Sequence, residues 1–170
     1  SIFAWVLFNE TWGLVSSATG FRDYRERKEV QEWVRRVWSE VKQLDPSRLV
    51  EDNSANKRDH LVTDINSWHF YIDDYERARK HIEEVVQNTY PGSTFNYVPG
   101  ARQDTAPLMN SEYGAVSAAG GDRDISWGFR YLTTLLRRHE KIQGYIYTEL
   151  TDVEFEHNGF FNYDRSPKEF

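Results

Sequence analysis

Strand-like apolar runs alternate with amphipathic, helix-like segments along the chain, and this alternation limits the fold more than any other feature of the sequence. The spacing of apolar residues predicts helices over 25–44, from Asp73 or Asp74 onward, and over 125–139. Strands are predicted at 2–9, 48–52, 106–111 and 142–150, and a further strand is predicted within 61–69, centred on 64–68. Such alternation favours parallel pairing with right-handed crossovers, so the sequence predicts the α/β class. An open doubly wound sheet and part of a (β/α)8 barrel both fit.

The apolar run over residues 2–8 has no turn or cap before it. Continuous apolar runs of this kind are typical of strands buried on both faces of a parallel sheet. Because a domain seldom opens on its most buried strand, we expect the natural chain to begin earlier. The run is far shorter than the roughly 20 residues that span a bilayer, and no charged leader precedes it. The sequence therefore predicts no membrane partner and leaves the cellular compartment open.

Composition argues against several kinds of site. The 170 residues carry 21 Lys and Arg against 27 Asp and Glu, a formal charge of −6, which disfavours a nucleic-acid partner. There is no cysteine, which excludes disulfides and thiol chemistry. The five histidines have no tight metal-ligand spacing, so the sequence predicts neither a metal nor another cofactor. Aromatic residues make up 15% of the chain and must either fill a core or line a cleft.

Two glutamates follow apolar segments at predicted strand ends, since Glu10 closes the first strand and Glu112 closes the fourth. In parallel architectures, reactive groups gather beyond the carboxyl ends of the strands. Paired carboxylates among aromatic and amide side chains suit glycoside hydrolysis. One acid protonates the leaving oxygen, and the other carboxylate attacks the anomeric carbon or activates water. The plainer interpretation is that each glutamate is a cap or a surface charge and that the rings belong to the core.

Five segments, taken in order, resemble the barrel of glycoside hydrolase family 2, which contains β-galactosidases, β-glucuronidases and β-mannosidases. They are 5–13 (WVLFNETWG), 45–48 (DPSR), 64–71 (DINSWHFY), 107–114 (PLMNSEYG) and the tail 149–168. These segments resemble the fourth strand, the link into the fifth, the sixth, the seventh, and the region from the eighth strand outward. The resemblance implies that residues 1–170 form one partial catalytic domain, with strands four to eight of a (β/α)8 TIM barrel and the first three strands missing.

The resemblance also implies roles for single residues in a retaining exo-β-glycosidase. Glu10 matches the general acid/base, and Glu112 matches the nucleophile that forms the glycosyl-enzyme. Asn9 matches the asparagine that hydrogen-bonds the 2-hydroxyl of the sugar. Tyr71 matches the tyrosine that hydrogen-bonds the nucleophile. A retaining mechanism needs one carboxyl group protonated and the other ionised near neutral pH.

Further substrate contacts are expected from His69 on the sixth strand, from Trp12, and from Tyr147, which stands where the family often has tryptophan under the sugar. Glucuronidases of the family carry an Asn-x-Lys pair before a glycine, whereas residues 156–158 (EHN) stand there in this chain. The lysine is missing, and Glu156 would repel a sugar carboxylate. The resemblance therefore favours a β-galactosidase-like enzyme, with β-glucuronidase or β-mannosidase as alternatives.

A non-catalytic carbohydrate-binding fragment is the alternative from another class, because the missing strands would supply part of the cleft. The presence of both Glu10 and Glu112 argues against it, since binding alone needs no acid and nucleophile pair. Under either hypothesis the expected partner is a carbohydrate. An open set of strands would expose unpaired edges at 2–9 and 142–150. We therefore expect the chain alone to associate with itself or to need its missing strands.

Overall fold

A computed structural model describes residues 2–10, 12, 25, 27–55, 58–114 and 125–169 of the chain. Within these residues the strands are β1 (Ala4–Val6), β2 (Leu49–Glu51), β3 (Asn66–Tyr71), β4 (Leu108–Gly114) and β5 (Ile142–Tyr147). The helices are α1 (Lys28–Leu44), α2 (Tyr75–Asn88) and α3 (Ile125–Arg137). The order of the elements follows the alternation in the sequence, and the predicted α/β class is confirmed.

The chain divides into two compact units. Unit 1 consists of Ser1–Trp68 and Asn88–Met109, and unit 2 consists of His69–Gln87 and Asn110–Phe170. Strands β3 and β4 pass from one unit into the other. Each unit is described by itself below.

Strands β1 and β2 of unit 1 pair in parallel, with Trp5 opposite Val50. The helix between them, α1, is amphipathic and buries Val34 completely. Its Trp38 indole donates a hydrogen bond to the carbonyl oxygen of Val50 at 3.0 Å, which ties the helix to β2. One hydrophobic cluster of this unit consists of Trp12, Val34, Leu61, Tyr97, Val98 and Ala101.

The first strand is less buried than its composition predicts. Phe3 is 63% exposed, Val6 is 52% exposed and Trp5 is 39% exposed, so the expectation of burial on both faces is wrong. The reason is that β1 pairs in a sheet whose described members are two strands, β1 and β2. Leu44, predicted on the apolar stripe of α1, is 84% exposed because it lies in the last turn of the helix, where the stripe has run past the core.

The second sheet has the strand order β3-β4-β5, and a helix connects each strand to the next. Helical connections are what parallel strands require. Strand β3 runs over Asn66–Tyr71, overlapping the predicted centre at 64–68 and extending past residue 69, and it is buried from Asn66 to Phe70. The polar stretch before it is held in an irregular path by side-chain hydrogen bonds, with the carboxylate of Asp52 accepting from the backbone N–H groups of Leu61 and Val62.

Helix α2 is capped by Asp74, whose carboxylate accepts a hydrogen bond from the backbone N–H of Arg77 at 2.7 Å. The structure thereby decides between the two aspartates that the sequence offered. The apolar residues at helical spacing, Ala78, Ile82 and Val85, are buried as predicted. None of the helices in the described part of the chain combines the length and the hydrophobicity needed to cross a membrane.

Candidate active site

Glu112 lies near the carboxyl end of β4, in unit 2. Its neighbours Ser111 and Tyr113 are buried, and Glu112 itself is half-buried, with 22% of its side chain exposed. The side-chain amide of Asn110 donates a hydrogen bond to the Glu112 carbonyl oxygen at 3.1 Å, which fixes the strand backbone at this point.

The carboxylate of Glu112 has two neighbours from β3. The hydroxyl of Tyr71 donates a hydrogen bond to Glu112 Oε2 at 2.7 Å, and His69 Nδ1 lies 3.4 Å from the same oxygen. Burial, followed by the hydrogen bond to Glu112, raises the pKa of Tyr71 above its ordinary value. Tyr71 therefore remains a protonated donor at neutral pH, and a charge-assisted hydrogen bond of this kind stabilises the negative charge of a carboxylate.

Gly114 ends β4 at a point where no larger residue fits. A Cβ atom there would lie 2.6 Å from Asn158 Nδ2 and 2.7 Å from Tyr71 Cδ1. The tail segment that carries Asn158 thus packs closely against the same strand ends that carry Tyr71 and Glu112.

Tyr147 lies at the end of β5 within an aromatic cluster of unit 2. Its ring packs 4.8 Å from Phe160 and 4.9 Å from Phe129, measured between ring centroids. Its hydroxyl donates a hydrogen bond to the carbonyl oxygen of Asn158 at 2.7 Å. In this structure Tyr147 holds the tail segment against β5, a role that the sequence did not predict.

Asn9 and Glu10 follow β1 in unit 1. Asn9 forms a parallel bridge with Ser54, and the backbone N–H of Glu10 donates to the Ser54 carbonyl oxygen at 2.9 Å. Glu10 has a φ of +43°, in the left-handed region that non-glycine residues seldom adopt. Backbone in this region recurs at functional sites, where the surrounding structure enforces it.

Trp12 is 1% exposed, and its indole donates a hydrogen bond to the Asp59 carbonyl oxygen at 2.9 Å. We expected Trp12 to face a sugar, but its ring lies in the core of unit 1 beside Val34 and Leu61. Burial of a large apolar ring lowers the free energy of the folded state. Trp12 therefore fits the plainer interpretation of the sequence, in which the aromatic rings belong to the core.

A buried ion pair, which the sequence did not predict, lies in the segment that follows β2. His60 Nδ1 lies 2.8 Å from Asp52 Oδ1, and both side chains are fully buried. Although burial by itself lowers the pKa of His60, the Asp52 carboxylate outweighs it and raises that pKa above its ordinary value. Within unit 1 the pair anchors the loop between β2 and β3. The only sequence signal was a pair of polar residues eight positions apart in a stretch that resembled a loop.

The tail after β5 is also organised by a carboxylate that the sequence did not single out. Asp152 Oδ1 accepts hydrogen bonds from the Gly159 backbone N–H at 2.9 Å and from Lys168 Nζ at 2.8 Å. His157 Nδ1 lies 3.5 Å from the other carboxylate oxygen. Burial acts to raise the pKa of Asp152, but Lys168 and the Gly159 N–H lower it below its ordinary value. Asp152 therefore stays charged and holds both ends of the tail.

No protein-family model matches this chain, and no curated protein matches it in sequence. Solved structures do match it. The GH2 β-galacturonidase from Eisenbergiella tayi is similar over 98% of this chain and 31% of its own, with a TM-score of 0.70 and 15% identity. The β-glucuronidase from Bacteroides uniformis is similar over 98% of this chain and 22% of its own, with a TM-score of 0.62 and 19% identity.

The β-D-glucuronidase from Dictyoglomus thermophilum is similar over 84% of this chain and 28% of its own, with a TM-score of 0.59 and 17% identity. The chain thus spans between 22% and 31% of the length of these three proteins. At such low identity the likeness shows the fold alone. It places the chain with the α/β folds of known β-glycosidases.

Proposed function

We propose that this chain is the part of a catalytic barrel that contains strands four to eight, in a retaining exo-β-glycosidase of the glycoside hydrolase family 2 kind. The expected substrates are terminal β-linked sugars, and the expected activity is β-galactosidase-like. The fold likeness to β-glycosidases and the order of the sequence motifs support this proposal. In the proposed barrel Glu10 and Glu112 come from the carboxyl ends of two parallel strands, the place where barrels carry their catalytic groups.

The observation that carries the proposal is the contact between Tyr71 and Glu112. A carboxylate at a strand end is common, but Glu112 combines partial burial with a tyrosine donor at 2.7 Å and a histidine at 3.4 Å. Both neighbours contact the same carboxylate oxygen and so fix the orientation of the carboxylate. An oriented, ionised carboxylate is what a nucleophile requires.

In the proposed reaction Glu112 attacks the anomeric carbon of the bound sugar. The bond to the leaving oxygen breaks, and that oxygen takes the bonding electron pair and the proton of Glu10. The product alcohol leaves, and the sugar stays as an ester of Glu112. Glu10, now ionised, removes a proton from water, which attacks the same carbon and releases Glu112 as a carboxylate. Two displacements give net retention, and they require carboxyl groups about 5–5.5 Å apart.

Asn9 and His69 complete the proposed site. Asn9 is assigned to the 2-hydroxyl of the sugar, where hydrogen bonds strengthen in the transition state. His69 is assigned to a further sugar hydroxyl or to the orientation of Glu112, because its ring is buried and lies beside that carboxylate. Tyr147 is assigned to shaping the sugar pocket through its hold on Asn158.

The test is the substitution Glu112→Gln in the natural full-length protein. Hydrolysis of 4-nitrophenyl β-galactoside is expected to fall by ~10³-fold or more, because the amide cannot form the ester intermediate. A 2-fluoro glycoside with a good leaving group should label the unsubstituted protein, and mass spectrometry should find the label on the peptide with Glu112. Glu140→Gln, at an exposed glutamate of the same unit, is the matched control and should keep full activity.

Two outcomes would contradict the proposal. Undiminished hydrolysis by the Glu112 variant would remove the nucleophile assignment. A full-length protein that binds sugars and hydrolyses no β-glycoside would instead support the non-catalytic carbohydrate-binding alternative.

A further inference from the structure

The backbone of Glu10 is held by residues 51–55, which begin at the last residue of β2. The Glu10 N–H donates a hydrogen bond to the Ser54 carbonyl oxygen at 2.9 Å, and the Ser54 N–H donates to the Phe8 carbonyl oxygen at 2.8 Å. All of these residues belong to unit 1. The position of Glu10 therefore depends on the position of residues 51–55.

Glu10 needs this support because its backbone is strained. Its φ of +43° lies in the left-handed region, where the Cβ atom of a non-glycine residue is crowded. Such a conformation persists only where the surrounding structure enforces it. If residues 51–55 were free to shift, the backbone of Glu10 would relax and its carboxyl group would move.

Asp52 fixes this segment through its side chain. Its Oδ1 atom lies 2.8 Å from His60 Nδ1, and its Oδ2 atom accepts hydrogen bonds from the backbone N–H groups of Leu61 at 2.6 Å and Val62 at 3.1 Å. The side chains of Asp52 and His60 are both fully buried. A buried polar network whose members all have hydrogen-bond partners is rigid, because an alternative arrangement would leave a buried group unpaired.

Ser67 of β3 closes the network. The Nε2 atom of His60 lies 2.8 Å from the Ser67 backbone nitrogen and 2.9 Å from the Ser67 carbonyl oxygen, so it has a partner whether it accepts or donates a hydrogen bond. The Ser67 hydroxyl donates to the Glu51 carboxylate and accepts from the Ala55 N–H at 3.3 Å. Both ends of the segment 51–55 are thereby bound to one side chain of β3.

We propose that Asp52, His60 and Ser67 are positioning residues for Glu10, which fix residues 51–55 so that the Glu10 carboxyl group is placed to protonate the leaving oxygen. All three side chains are fully buried, so they act through the backbone of Ser54 and not on the substrate. This inference rests on the proposed function, because it takes Glu10 as the acid/base. It adds a set of residues to which the sequence resemblance gives no role.

The experiment isolates acid catalysis through the choice of leaving group. Phenyl β-galactoside needs a proton on its leaving oxygen, whereas 2,4-dinitrophenolate departs as a stable anion without one. The ratio of kcat/KM for the phenyl substrate to kcat/KM for the dinitrophenyl substrate, measured on the natural full-length protein, thus reports proton donation by the acid. A variant that only contains less folded protein has both values lowered by the same factor, and its ratio is unchanged.

Asp52→Asn keeps the size of the side chain but replaces an acceptor oxygen with a donor, so at least one hydrogen bond of Asp52 is lost. The ratio should fall by about 10- to 100-fold, because a misplacement of about 1 Å costs a catalytic group about 100-fold. Ser67→Ala is milder and should lower the ratio by a smaller factor. Glu10→Ala gives the full loss of acid catalysis, which is about 10²- to 10⁴-fold.

Tyr97→Phe is the matched control. Tyr97 is a buried residue of the same unit, and its hydroxyl donates a hydrogen bond to Gln103 Oε1 at 2.9 Å. This variant loses a buried hydrogen bond that does not involve residues 51–55. Its thermal stability should fall, and its ratio should equal that of the wild type.

Wild-type ratios in Asp52→Asn and Ser67→Ala, beside a lowered ratio in Glu10→Ala, would overturn the inference and leave the proposed function intact. If Asp52→Asn does not fold, the ratio of Ser67→Ala decides alone. An unchanged ratio in Glu10→Ala, or a full-length protein that hydrolyses neither substrate, would overturn the proposed function and the inference with it.

Discussion

At the scale of single residues, the structure explains why Glu112 differs from an ordinary strand-end glutamate. Its carboxylate is held between Tyr71 and His69, both from β3, which neighbours β4 in the sheet. Glu149 differs for another reason, because its buried oxygen has no hydrogen-bond partner and like charges surround it. One carboxyl group thus accepts a hydrogen bond from a tyrosine, whereas burial favours the neutral form of the other, within the same unit.

Tyr71→Phe removes the hydrogen bond to Glu112 and keeps the ring. Hydrogen bonds to charged groups contribute about 1.5–3 kcal/mol, so kcat/KM for 4-nitrophenyl β-galactoside is expected to fall by about 10- to 100-fold. Steady-state kinetics of the full-length protein provide the measurement. Tyr90→Phe, at a tyrosine that is 55% exposed, is the control and should not change kcat/KM. Equal activity of the two variants would show that Tyr71 does not support Glu112.

The raised pKa of Glu149 also predicts how stability depends on pH. An acid whose pKa is higher in the folded state binds more protons there than in the unfolded state, so the stability from Glu149 is present below about pH 4.5 and is lost as pH rises through about 7. Thermal melts of the wild type and of Glu149→Gln from pH 5 to 8 measure this. The wild type should lose stability relative to the variant, since glutamine does not ionise. Glu154→Gln should follow the wild type, and coincident curves for all three proteins would contradict the prediction.

At the scale of elements, local signals in the sequence predict the helices better than the strands. The apolar stripe of α2 is buried as predicted, because helical periodicity is a property of the segment itself. Strand β3 begins at Asn66, inside the predicted segment 61–69, because hydrogen bonds to Asp52 hold residues 61 and 62 outside the strand. These hydrogen bonds join residues nine and ten positions apart, outside the apolar pattern of the strand itself.

Asp74→Ala removes the N-terminal cap of α2. The expected loss is about 1 kcal/mol in the free energy of unfolding, because the Arg77 backbone N–H loses its hydrogen-bond acceptor. Chemical denaturation gives the value. Asp73→Ala, at the neighbouring aspartate, keeps the cap and should cost less. An equal or larger loss of unfolding free energy in the Asp73 variant would contradict the assignment of the cap to Asp74.

At the scale of the whole molecule, the described chain leaves large apolar side chains exposed on its outer strands. On β5 and just after it, Ile146 is 48% exposed and Leu150 is 68% exposed, while Val6 of β1 is 52% exposed. Edge strands with exposed apolar side chains favour pairing with another chain. The three similar solved structures named above are about three to five times as long as this chain.

The 170-residue chain alone is expected to form dimers or larger species, which light scattering after size-exclusion chromatography would detect. Lysine at Val6 and at Ile146 should reduce this association, because a charge on an edge strand disfavours pairing. Lysine at Leu44, an exposed apolar residue on a helix end, is the control and should have no such effect. A folded, stable monomer of the unchanged chain would contradict the prediction.

The sequence by itself determined the α/β class, the order of the elements and the places of two glutamates, Glu10 after β1 and Glu112 near the carboxyl end of β4. These properties depend on local periodicity and on the types of neighbouring residues. Tertiary structure decided the rest. It placed Trp12 in a core, bound the Tyr147 hydroxyl to Asn158, and set the start of β3. It also gave Glu149 its buried oxygen, since burial and nearby charge come from residues that only folding brings together.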